Sequence, residues 1–164
     1  MKTLLLIRHA KSSWDHSILS DFDRPLNERG KQDAPIAAKI LRDKKINIDA
    51  FVSSPAKRAK KTAEIFLKEY DKKEKYLTLI PSLYEASTAE FYQVVEKLED
   101  KYDSVALFSH NPGITDFINS LGCNPIYDMP TCAVYGLEIN TKHWKAFKDS
   151  KKKFLFLDYP KKEQ

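Results

Sequence analysis

Apolar positions along the chain fall into short runs separated by stretches of helical spacing. Leu4, Leu5, Leu6 and Ile7 form a continuous apolar run. That length fits a strand buried on both faces, the kind a parallel sheet uses. Ala50 to Val52, Tyr76 to Ile80 and Ser104 to Phe108 repeat the type. Between these runs the period becomes helical, at Ala34, Ala37, Ala38 and Leu41, then at Ala59, Thr62, Ala63, Phe66, Leu67 and Tyr70. It does so again at Phe91, Val94, Val95 and Leu98, and at Ile114, Phe117, Ile118 and Leu121. Strand and helix in alternation predict an α/β protein, a three-layer α-β-α sandwich around a mostly parallel sheet. After the irregular stretch from Gly122 to Thr131, three β-like segments finish the chain: Ala133 to Ile139, roughly His143 to Lys148, and Phe154 to Asp158. Asn140-Thr141 is placed to turn the first into the second as an antiparallel edge hairpin.

Boundary residues sharpen this picture. Asn27 is a plausible N-cap, and Pro35 is expected to kink the helix that follows or restart it. Ser54 as N-cap with Pro55 at the first helical position marks the next helix. Pro81 ends the third strand. Ser87 and Glu90 have capping-box spacing. The polar stretch from Ala10 to Pro25 is long enough to suspect a role of its own.

Composition adds bounds. The 164 residues are 42% hydrophobic and 31% charged, which fits one globular domain over 1–164 rather than a disordered chain. A net charge of +5 favours anionic ligands without singling out nucleic acid. Lys57, Lys60, Lys61 and Lys151 to Lys153 lack interleaved aromatics, so no nucleic-acid partner is expected. The first apolar run is too short for a signal peptide or a membrane span, and the expectation is a cytoplasmic protein with no membrane partner. Cys123 and Cys132 show no CxxC spacing and read as small hydrophobes in a reducing compartment. Trp14 and Trp144 read as packing residues, His16 and His143 as surface.

Charged and polar groups cluster where the strands end. Arg8 and His9 follow the first strand, Arg58 opens the helix after the second, Glu85 follows the third, and His110 follows the fourth. If the strands are parallel, these positions share one rim, the edge where open α/β sheets bind ligands. Such a group suits a phosphoryl unit: arginine offers a planar fork to two oxygens, and a neutral imidazole is a competent nucleophile. Each residue also has a plainer reading. Arg8 and His9 alone could be a strand surfacing into solvent, His110 a structural histidine, Glu85 a solvated loop carboxylate, and Lys11 a solvated lysine. Asp21 and Asp23 read as solvated charges or an arginine partner. The four glycines build no GxxxxGK or GxGxxG loop, so side chains rather than a backbone nest would cradle phosphate. The four histidines show no HxH or HExxH spacing, so neither a metal nor another cofactor is expected.

The segments LLLIRHAKSSW (Leu4 to Trp14), DRPLNERG (Asp23 to Gly30), VSSPAKRAKKTA (Val52 to Ala63), LYEAS (Leu83 to Ser87), SHNPG (Ser109 to Gly113) and TCAV (Thr131 to Val134) resemble the histidine phosphatase superfamily. Within it they look most like the SixA-like phosphohistidine phosphatases. The resemblance implies a phosphoglycerate mutase-like fold without a large cap domain. It implies His9 as the nucleophile that carries a transient phosphohistidine, and Arg8 and Arg58 gripping the phosphoryl oxygens. His110 is implied as a further donor, Glu85 as the general acid, and Arg24 as a substrate contact, with Lys11 and Asn111 beside it. One departure stands out: the signature's glycine is Ala10, tolerable only if the backbone there avoids positive φ. The activity implied is metal-independent removal of phosphate from phosphohistidine on a protein, by a monomer. A small-molecule phosphomonoesterase and a non-catalytic phosphate-binding module are the alternatives.

Overall fold

The computed structural model describes residues 1–15 and 19–160; His16 lies outside the described residues. Six strands form one sheet. They are β1 (Lys2–Arg8), β2 (Ala50–Ser53), β3 (Leu77–Leu79), β4 (Ser104–Ser109), β5 (Val134–Ile139) and β6 (Lys152–Asp158). The strand order is β3-β2-β4-β1-β5-β6. β1, β2, β3 and β4 pair in parallel, whereas β5 and β6 join as antiparallel strands at one side. The fold is therefore the mostly parallel α/β architecture expected from the alternation.

The period of two along β1 explains the layers. Leu4 and Leu6 enter a core shared with α3 (Thr88–Glu96) and α4 (Gly113–Ser120), where Phe91 and Phe117 stack at 5.0 Å. Leu5 and Ile7 enter the opposite core with α1 (Glu28–Asp43) and α2 (Lys57–Glu69), where Phe66 meets Phe108 edge-on at 5.1 Å. A strand apolar on both faces needs a helical layer on each side, and both are present. Among the described residues no cap domain stands over the sheet, and no helix is long and apolar enough to cross a membrane.

Local signals hold unevenly. Asn27 caps α1 by accepting from the Gly30 amide, and Ser87 with Glu90 closes the reciprocal capping box of α3. The helix does not restart at Pro35: α1 runs unbroken from Glu28 to Asp43. Pro35 sits on the exposed face while Ala34, Ala37, Ala38 and Leu41 are buried. Burial of that stripe outweighs one missing backbone hydrogen bond on the wet side. Helix α2 begins later than Ser54-Pro55 suggests, with Ala56 as its N-cap residue. The third strand shrinks to Leu77–Leu79 between 3-10 turns at Glu74–Tyr76 and Pro81–Leu83. The expected strand near His143 to Lys148 is a 3-10 helix, Trp144–Asp149. Trp144 and Phe147 are both fully buried three residues apart, a spacing that matches three residues per turn rather than a strand's alternation. The antiparallel pair at that edge is consequently β5 with β6, not a tight hairpin at Asn140-Thr141.

Candidate active site

Register brings the strand ends together. Arg8 pairs with Ser109, and Ser53 with Phe108, so β1, β2 and β4 finish on one rim. The chain after β1 gives His9, the segment after β2 leads to Arg58 in the first turn of α2, and the residue after β4 is His110. Glu85 follows the 3-10 turn Pro81–Leu83. Every residue singled out for the site, Arg8, His9, Lys11, Arg24, Arg58, Glu85, His110 and Asn111, lines one cavity of about 680 Å³.

His9 is buried, and its Nδ1 lies 2.6 Å from the Ala10 carbonyl oxygen. A carbonyl can only accept, so Nδ1 carries the proton and the lone pair of Nε2 faces the cavity. Arg58 Nε donates toward that Nε2 at 3.4 Å. The His9 and His110 rings stand 5.1 Å apart. Burial holds the His9 imidazole well below the ordinary value of 6.5, and the neighbouring His110, Arg58 and Arg8 push the same way. His110 is pushed down to about 3, first by burial and then by Arg58. Both rings are therefore neutral in the free site near neutral pH. Ala10 does not adopt positive φ, so its methyl group is accommodated, and its amide donates to Thr62 Oγ1 at 3.0 Å.

The flanking residues sort by what their polar atoms touch. Arg8 donates from Nη1 to the Met129 carbonyl at 2.8 Å, while its buried Nε has no partner among the described residues. His110 shares a 2.7 Å hydrogen bond between Nε2 and Ser54 Oγ, leaving buried Nδ1 likewise unpartnered. Asn111 donates to Asp128 Oδ1 at 2.7 Å and to the Met129 carbonyl at 3.1 Å, and accepts from Thr115 Oγ1. Its amide thus braces the wall beside Arg8. Arg24 donates to Ser12 Oγ, the Ser13 carbonyl and Asp21, and its guanidinium stacks 3.5 Å from the Trp14 ring centre. Lys11 is exposed at the mouth. Glu85 sits at φ 57, a left-handed conformation that a residue with a side chain adopts at some cost.

Three features differ from the reading of the sequence or go beyond it. Ser54, taken there as an N-cap, instead accepts from the Ala56 amide and holds His110. Trp14 is 78% exposed and forms cavity wall rather than core. Asp21 is the arginine partner that one of its two readings expects, but it meets two arginines, Arg58 and Arg24, and Tyr84 at once. Partial burial alone would raise its pKa, but hydrogen bonds from Tyr84 and Arg58 hold it down to about 2. A Trp inside a polar loop and an Asp three residues before an Arg were the available signals. Among the described residues no group of histidines, cysteines and carboxylates is arranged to hold a metal ion.

The sequence profile of the histidine phosphatase superfamily (branch 1) matches residues 4–92. The chain belongs to that superfamily. An uncharacterised chloroplastic protein of Arabidopsis thaliana is 30% identical over 151 residues, 87% of this chain and 69% of that protein. The 2,3-bisphosphoglycerate-dependent phosphoglycerate mutase of Bartonella henselae is 33% identical over 86 residues, 51% of this chain and 42% of the mutase. In three dimensions, the structure of the protein histidine phosphatase SixA complexed with tungstate superposes with a TM-score of 0.83 at 20% identity, covering 99% of each chain. At that identity the superposition speaks to fold. The superfamily's fold thus accounts for nearly all of this chain, and the mutase match covers less than half of the mutase.

Proposed function

We propose that this histidine phosphatase superfamily member removes phosphate from phosphohistidine on a protein, through a covalent intermediate on His9. The observation that supports it best is the His9 Nε2 lone pair with Arg58 Nε 3.4 Å away, in a cavity also lined by Arg8 and His110, each of which has a buried nitrogen without a partner among the described residues. Buried unpartnered polar atoms are costly, and a phosphoryl group is a natural acceptor for them.

In the first step Nε2 of His9 attacks phosphorus. A new P–N bond forms, the bond to the leaving nitrogen breaks, and that nitrogen keeps the electron pair. Water then attacks phosphorus, the P–Nε2 bond breaks, and the proton of water leaves with phosphate or solvent. Arg58 and Arg8 offset oxygen charge in both steps, and His110 donates from beside His9. A protonated imidazole leaves readily, whereas an alkoxide needs an acid. Glu85 is the candidate acid, with Asp116 lining the same cavity. An open mouth without a cap domain suits a side chain presented by another protein.

The test is a quenched reaction with a phosphohistidine peptide. An acid-labile phosphoenzyme is expected for the native chain and none for His9→Ala. No label on the native chain would instead favour a binding module. Faster turnover of alkyl phosphates than of phosphohistidine peptides would favour the small-molecule phosphomonoesterase.

A further inference from the structure

Asp21 takes no part in those steps, yet two arginines of the site, Arg58 and Arg24, meet on it. It stands in the 3-10 turn Asp21–Asp23, none of whose residues is buried. Its carbonyl accepts from Arg58 Nη1 at 2.6 Å, and its Oδ2 accepts from Arg58 Nη2 at 3.0 Å. The same Oδ2 accepts from the Tyr84 hydroxyl at 2.7 Å. Oδ1 accepts from Arg24 Nε at 3.1 Å and lies 3.1 Å from Arg24 Nη2.

A guanidinium has two edges that can grip an oxyanion: the pair of terminal nitrogens, and Nε with the terminal nitrogen beside it. Asp21 occupies the first edge of Arg58. The second edge is the one that faces His9, through Nε at 3.4 Å. We propose that Asp21 is a positioning residue: it holds the outer edge of Arg58, ties it to Arg24 and Tyr84, and so presents the Nε edge to the phosphoryl group at His9. Arg24 then acts through Asp21, consistent with its other donors being held by Ser12 and Ser13. The inference rests on phosphoryl transfer at His9, but its decisive measurement does not need turnover.

The sign of the effect makes the test sharp. Coulomb attraction alone says that removing a carboxylate from a basic pocket strengthens anion binding. Positioning says the reverse. Orthophosphate binding is measured by calorimetry for the native chain, Asp21→Asn and Asp21→Ala. Weaker binding by roughly tenfold or more is expected, with phosphoenzyme formation slowed in step. In an Arg58→Ala background the same substitutions should change little, because the group being positioned is gone. Tighter orthophosphate binding, or an equal loss with and without Arg58, would overturn the proposal. Should the Asp21 variants fail to fold, Tyr84→Phe removes one tie and no charge; unchanged orthophosphate binding there also counts against it. Failure to form a phosphoenzyme from any donor, with the orthophosphate pattern intact, would sink the proposed reaction and leave the positioning role standing.

Discussion

At the scale of single residues, protonation decides what this cavity does. An unperturbed histidine is half protonated at 6.5, and a protonated His9 has no lone pair for phosphorus. Burial holds His9 well below that value. Turnover of phosphohistidine peptides by kcat/KM is therefore expected not to fall as pH drops through 6.5 to about 5, and a fall centred on the ordinary histidine value would contradict a neutral buried nucleophile. Arg58 allows a second expectation. Its planar fork cannot be copied by a point charge, so Arg58→Lys should recover little of the activity lost in Arg58→Ala, a loss of about 100-fold or more in kcat. Glu85 gives a third: Glu85→Gln should slow ester hydrolysis more than phosphohistidine hydrolysis, read from parallel kcat values. Equal losses would mean that leaving-group protonation is not what Glu85 supplies.

At the scale of elements, the site depends on how closely α4 approaches the loop that carries Glu85. A Cβ on Gly113 would lie 2.4 Å from the Ala86 carbonyl oxygen. Backbone cannot yield there as a flexible side chain would. Gly113→Ala is expected to lower stability by roughly 1–3 kcal/mol in urea unfolding and to displace Glu85, so that ester turnover falls further than stability alone explains. The glycine was visible in the SHNPG segment, but the reason for it was not. The contact is between the start of α4 and a loop about one helix and one strand earlier. The 3-10 helix Trp144–Asp149 teaches the same point: its short apolar pattern reads as a strand until burial shows Trp144 and Phe147, three residues apart, entering one core.

For the molecule as a whole, two buried imidazoles make stability depend on pH. His110 titrates at about 3 in the folded protein against an ordinary 6.5. Above 6.5 both folded and unfolded chains are neutral at this ring. Below it the unfolded chain takes up a proton that the folded one refuses, so stability falls as acid is added, until the pH passes the folded value. His9 acts in the same direction. Urea midpoints should therefore drop more steeply between pH 7 and about pH 5 for the native chain than for His110→Gln. Parallel slopes would show that His110 is not buried in its neutral form.

The apolar run of β1 and the helical stripes after it were enough to imply a parallel sheet with a helix layer on each face, because burial on both faces leaves no polar position to spare. The residues following each strand were enough to nominate Arg8, His9, Arg58, Glu85 and His110 for one rim, because parallel strands put their ends together. What the chain could not disclose alone was which polar atoms are already engaged. Ser54 holding His110, Asn111 bracing Met129 and Asp128, and Asp21 joining Arg58, Arg24 and Tyr84 are pairings between segments distant in sequence, or between loop residues with no repeating period. Periodicity reports which face of an element is buried. Only the folded packing of loops against strand ends decides where each hydrogen bond goes.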